Sequence, residues 1–101
     1  MSIPRGSTPT HIFHTAIDLS EADAVWLTYK QGSNVVLNKQ IEDLVIDAES
    51  VTATLSQKEA LMFSKNSKVR IQIRARFSNG VAVQSNIVET DVDDVLKEGV
   101  I

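Results

Sequence analysis

The stretch Lys68-Val-Arg-Ile-Gln-Ile-Arg-Ala-Arg-Phe77 alternates polar and apolar residues over ten positions without a break. Lys68, Arg70, Gln72, Arg74 and Arg76 fall on one side, and Val69, Ile71, Ile73, Ala75 and Phe77 on the other. A period of two is that of a strand with one buried and one solvated face. This points to an antiparallel β fold and commits four of the ten basic residues to a sheet surface instead of a pocket.

Strand signals recur at short spacing on either side of it. Residues 10–17 carry Ile12 and Phe13, with Ala16 and Ile17 near the end. Residues 24–31 alternate Val25, Leu27 and Tyr29 against Ala24, Trp26 and Thr28. That strand is either covered on both faces or has Trp26 inward and Tyr29 at the rim. Gly32-Ser33-Asn34 supplies turn chemistry, so 24–31 and 34–40 form a hairpin. A second hairpin runs from Asp43–Asp47 across 48–50 into 51–55, with Val51, Ala53 and Leu55 inward. Ser56 and Glu59 have the spacing of a capping box, which predicts a helix of one or two turns with Leu61 and Phe63 plugging one end of the core.

The turn Ser78-Asn79-Gly80 admits two registers for the return strand. A two-residue turn pairs Arg70 with Glu89 and Lys68 with Asp91. A three-residue loop with Gly80 left-handed pairs Phe77 with Val81, Ala75 with Val83 and Ile71 with Ile87, and it keeps the apolar groups on one face. The apolar parity then shifts from Val81 and Val83 to Val88 and Val92, implying a bulge near 84–86 or a change of partner. About seven short strands with turns every eight to twelve residues, plus one short helix, predict an immunoglobulin-like antiparallel β-sandwich over residues 10–92. Residues 1–9, with Pro4, Gly6 and Pro9, read as an extended arm. Residues 93–101 read as a tail, either a short amphipathic helix or an extended contact segment.

Composition narrows the function classes. A chain of 101 residues, 43% hydrophobic, forms one domain and is too apolar to stay disordered. Ten basic against thirteen acidic residues leaves a net charge of −3, which argues against general nucleic-acid binding. Without cysteine there is no disulfide framework and no thiolate metal site. The Met-Ser-Ile-Pro-Arg start lacks the apolar core of a secretion signal, and no apolar run approaches the ~18 residues of a membrane span. The expectation is a protein made in the cytoplasm.

No catalytic pattern emerges. His11 and His14, three apart in a strand, face opposite ways and read as ordinary surface or rim residues. Glu89, Asp91, Asp93 and Asp94 lack the glycine and ligand spacing of a calcium loop and balance the basic stripe Lys68, Arg70, Arg74 and Arg76 across the sheet. None of the serines lies in a nucleophile elbow, and no glycine loop cradles phosphate. An enzyme, a cofactor and a small-molecule substrate are therefore not expected. Apolar Ile3, Val100 and Ile101 at the two ends hint instead at a protein partner.

The opening Ile3-Pro4-Arg5-Gly6-Ser7-Thr8-Pro9-Thr10 with Ile12-Phe13 resembles the start of small phage and prophage tail-region proteins of Gram-positive bacteria. The resemblance continues in Val25-Trp26-Leu27-Thr28-Tyr29-Lys30-Gln31, in Leu55-Ser56-Gln57, in Val69–Arg74 and in Asp94-Val95-Leu96. It is similar to the immunoglobulin-like amino-terminal domain of phage upper baseplate proteins. The resemblance implies a structural protein of a tail, in a baseplate or fibre, that packs against other tail proteins or against itself. Its contact residues would then be Ile3, Pro4 and Arg5 in the arm, Arg74 and Arg76 on the basic face, and Leu96, Val100 and Ile101 in the tail. The alternative is a module for carbohydrate on a host surface, for which Trp26 and Tyr29 are the available aromatic platforms, and which an exposed Trp26 would favour.

Overall fold

A computed structural model describes all 101 residues. The alternating stretch forms β7 (Val69–Arg76), in which Val69, Ile71, Ile73 and Ala75 are all buried. It is flanked on one side by the hairpin of β3 (Ala24–Gln31) and β4 (Asn34–Gln40). Gly32, with φ +57°, takes the first central position of that tight turn, where an L side chain would be strained. On its other side β7 meets two strands in succession, β8 (Ala82–Gln84) and β9 (Val88–Asp93). A short strand β1 (Ser2–Pro4) lies parallel to β9 at the sheet edge. The second sheet holds β2 (Thr10–His14), β6 (Ser50–Thr54) and the two-residue β5 (Val45–Ile46), in the order β2-β6-β5.

The large sheet runs β1-β9-β7-β3-β4, with β8 continuing beside β7. This is the strand order of an immunoglobulin-type sandwich, with C′, C, F and G in one sheet and B, E and D in the other. Nine strands are present where about seven were expected, because the return after β7 splits in two and residues 2–4 also pair. The single-turn helix α1 (Gln57–Ala60) crosses between the sheets. Its capping box forms as the sequence predicts: the Ser56 hydroxyl accepts from the Glu59 amide at 3.1 Å, and the Ser56 amide donates to the Glu59 carboxylate at 2.9 Å. Burial alone would raise the Glu59 carboxyl, but Lys39 at 2.8 Å and the Ser56 amide bring it below the ordinary carboxylate value.

Both registers read from the Asn79-Gly80 turn are used, in different halves of β7. Near the turn, Gly80 has φ +87°, the Phe77 amide donates to Val81 at 2.9 Å, and Ala75 pairs with Val83. Further along, Ile71 pairs with Val88, not with Ile87, and Arg70 pairs with Glu89. Three residues, Ser85-Asn86-Ile87, therefore oppose the two residues Gln72 and Ile73, which is a β-bulge. Ser85 holds it: its hydroxyl accepts from the Ile73 amide at 3.0 Å and donates to the Asn86 carbonyl at 2.9 Å.

The expected arm is a strand. Ile3 is fully buried and packs in the same core as Val92, its register partner. The Arg5 amide donates to the Asp93 carbonyl at 3.0 Å, and the Leu55 amide donates to the Pro9 carbonyl at 2.9 Å. Pro4 is tolerated because β1 is an edge strand and one of its sides needs no donor. Three residues in parallel pairing leave too short a pattern for periodicity to register. The sandwich accordingly includes residues 2–4 and extends through Asp93, beyond the 10–92 boundaries that periodicity suggested. The tail that follows β9 contains no helix.

Two more placements differ from expectation. Trp26 points outward and is 40% exposed, whereas Tyr29 is fully buried. Position 29 shares its face with Val25 and Leu27, and position 26 shares its face with Thr28 and Lys30. His11 is buried as well, not on the surface. Its Nδ1 lies 2.8 Å from the Tyr29 hydroxyl, and Tyr29 meets Phe63 edge-on with ring centroids 5.7 Å apart. His11 Nε2 is buried without a hydrogen-bond partner.

Desolvation holds the His11 imidazole below its ordinary value, and the amino terminus adds to the effect. The sign for stability follows. The unfolded chain takes up a proton near pH ~6.5 that the folded chain resists. His11 therefore opposes folding progressively as pH falls below that point and has no such effect above it. The melting temperature should decline between pH 7 and pH 5, before carboxylates titrate near pH ~4. His11→Gln, which keeps a partner for Tyr29 but cannot titrate, should flatten this decline. An equal slope in both proteins would assign it to another group.

Candidate binding surfaces

Of the contact residues read from the sequence, those at the amino terminus are engaged within the domain. Ile3 is in the core and Pro4 is in β1. The Arg5 side chain is 14% exposed and clamps three segments together. Its Nε donates to the Phe63 carbonyl at 2.9 Å and its Nη2 to the Leu61 carbonyl at 3.4 Å. Its Nη1 and Nη2 meet the Glu98 carboxylate at 2.6 and 3.2 Å. A bidentate guanidinium at the foot of β1 thus ties the loop after α1 to the carboxyl-terminal tail.

That tail is pinned at its end too. The Ile101 amide donates to Gln57 Oε1 at 2.8 Å, and Gln57 Nε2 donates back to the Ile101 carbonyl at 3.3 Å. Its apolar side chains are nevertheless unburied: Leu96 and Ile101 are almost fully exposed, and Val100 is mostly exposed. The structure thus leaves the three apolar side chains of the tail exposed.

A second apolar surface was not read from the sequence. A groove of about 530 Å³ opens between the two sheets, floored by Ile71, Ile73 and Ala75 of β7 and walled by Phe13, Ile17 and Val83. It lies beside β2, which pairs only with β6 and so presents one unpaired backbone edge. Ile12 and Ile17 at its rim are about half exposed, and Thr15 Oγ1 along its wall is buried without a hydrogen-bond partner. The signal in the sequence was the surplus of apolar groups over 10–17. They alternate with buried His11 and Phe13, so some of them must face outward.

The charged face divides in two. Lys68 meets Asp91 at 2.5 Å, and Arg70 lies opposite Glu89 in register while donating to the Gly32 carbonyl at 3.0 Å. The Asp91 partner holds the Lys68 ammonium above its ordinary value. Arg74 and Arg76 instead face Gln84 and Ala82 of β8 and make no ion pair or side-chain hydrogen bond. They border a shallow depression of about 370 Å³ together with Trp26, Ala24, Thr28 and Ala82. The expected balance of the basic stripe by acidic residues thus holds only for its first half.

The acidic residues are engaged separately. Asp91 pairs with Lys68, Asp93 accepts from Ser2 at 2.8 Å, and Asp94 pairs with Lys65 at 3.3 Å. No three ligand-type side chains converge as a metal site would require. No helix is long and apolar enough to cross a membrane. No family model, curated protein or solved structure matches this chain.

Proposed function

We propose that this chain is a non-enzymatic assembly domain that works by protein–protein contact, as a structural component of a phage or prophage tail. The tail setting rests on the sequence resemblance. The assembly role rests on the apolar groove beside the unpaired edge of β2. An extended segment laid there would add a strand to a three-stranded sheet, satisfy idle backbone groups and cover apolar surface in one step. The occupant is the tail of a second copy. Residues 95–101 span about 23 Å when extended, enough to run the length of five-residue β2. Leu96, Val100 and Ile101 already lie outside their own core. To move, the tail gives up its contacts with Gln57 and the bidentate pairing of Glu98 with Arg5.

Light scattering over a concentration series tests this with three proteins: the full chain, the chain ending at Asp94, and Ile17→Glu in the groove wall. The full chain should form a defined oligomer and both variants should remain monomeric, Ile17→Glu with little loss of melting temperature, since Ile17 is about half exposed. A full chain that stays monomeric, or a shortened chain that associates equally well, would count against the reading.

A further inference from the structure

We propose that Trp26, Arg74 and Arg76 form a binding site for an acidic saccharide, a sugar ring that carries a carboxylate. The site follows from how the large sheet is built. Trp26 sits directly opposite Arg74 in the β3–β7 register, and Ala24 sits opposite Arg76. Strand parity turns all four toward solvent, on the face away from the core. The neighbours Ala24 and Ala82 are small, and Trp26, between its register partners Arg74 and Gln40, keeps 40% of its surface exposed.

The register of the return strands leaves the two guanidinium groups free. It lets β9 deliver Glu89 and Asp91 to the Lys68 end of the stripe, while β8 brings only Ala82 and Gln84 to the other end. Arg74 and Arg76 are therefore two adjacent cations on a protein of net charge −3, with no anion of their own. A guanidinium presents a planar fork of donors that matches a carboxylate, and an indole offers an apolar face to the C–H face of a sugar ring. One ligand that satisfies both is a uronic acid residue.

Size separates this from a protein partner. The depression is about 370 Å³ and is bordered by seven residues, of which Trp26 alone is a large apolar group. A stable protein interface needs about 800 Å² on each side with an apolar centre. This patch suits one or two sugar rings. It is also separate from the groove beside β2 and does not depend on self-association, so either can fail alone.

Trp26 is the only tryptophan, so its fluorescence reports this site without interference. Titration of the full chain with oligogalacturonate should give a saturable change in emission at millimolar sugar or below. Raising the ionic strength should weaken it, because exposed charges are screened within about 10 Å at 0.1 M salt. The exposed double variant Arg74→Gln/Arg76→Gln, which retains Trp26, should lose affinity by about tenfold or more at unchanged melting temperature. Neutral galactose oligomers should bind more weakly by a similar factor. No emission change with oligogalacturonate, equal binding of the neutral oligomer, or stronger binding of a hexaglutamate peptide would overturn the proposal, the last in favour of an acidic protein partner.

Discussion

Removing residues 1–9 should collapse the stability of the domain rather than trim a dispensable arm. The deletion takes out Ile3, which is fully buried in the core. Loss of a buried isoleucine side chain down to alanine alone costs about 2–5 kcal/mol. The same deletion strips the parallel pairing of β1 from β9, the bond from the Thr90 hydroxyl to the Met1 carbonyl, and the Arg5 clamp. Domains of this size have about 5–15 kcal/mol in total, and each kcal/mol moves the melting temperature by about 4–8 °C. The truncated chain should therefore melt at least ~15 °C lower, or show no cooperative transition. Ile3→Ala in the full chain should account for a large part of that loss. An unchanged melting temperature after truncation would restore the picture of a free arm that straps onto a neighbour.

The second large effect contrasts two aromatic residues three positions apart. Tyr29→Ala should cost about 3–5 kcal/mol, as for other large aromatic-to-alanine changes in a core. Tyr29 is sealed between His11 and Phe63, with its hydroxyl bonded at 2.8 Å, and the truncation would also leave His11 Nδ1 without a partner. Trp26→Ala, on the solvated face, should cost within about 1 kcal/mol, closer to a surface substitution than to a core one. Urea unfolding of the two variants measures both. The opposite ranking would place the indole inside and remove the saccharide site with it.

The contrast also shows where residue pattern and tertiary placement part company. A tryptophan on the second strand of a predicted immunoglobulin-like sandwich suggested a buried core aromatic. The alternation of the strand itself pointed the other way: Trp26 keeps company with Thr28 and Lys30, and Tyr29 with Val25 and Leu27. The period of two was the stronger signal, because one sheet face cannot bury Lys30 to accommodate Trp26.

Local chemistry by itself determined a good deal of this protein. Alternation set β7 and its buried face, the inward set Val51, Ala53 and Leu55, the hairpin turn at Gly32, the three-residue loop at Gly80 and the reciprocal cap of α1. These features depend on neighbours within a few residues, where backbone sterics and a periodicity of two leave little choice. Only the tertiary structure decided the rest. Ile3 is buried because β9, almost ninety residues later, offers it an edge and a partner in Val92. His11 is buried because Tyr29 on the opposite sheet supplies its hydrogen bond. Arg5 is drawn inward by carbonyls and a carboxylate from the loop after α1 and from the tail. In each case the fate of a side chain is settled by groups distant in the chain that have no periodic relation to it, and only the packing of the two sheets brings them together.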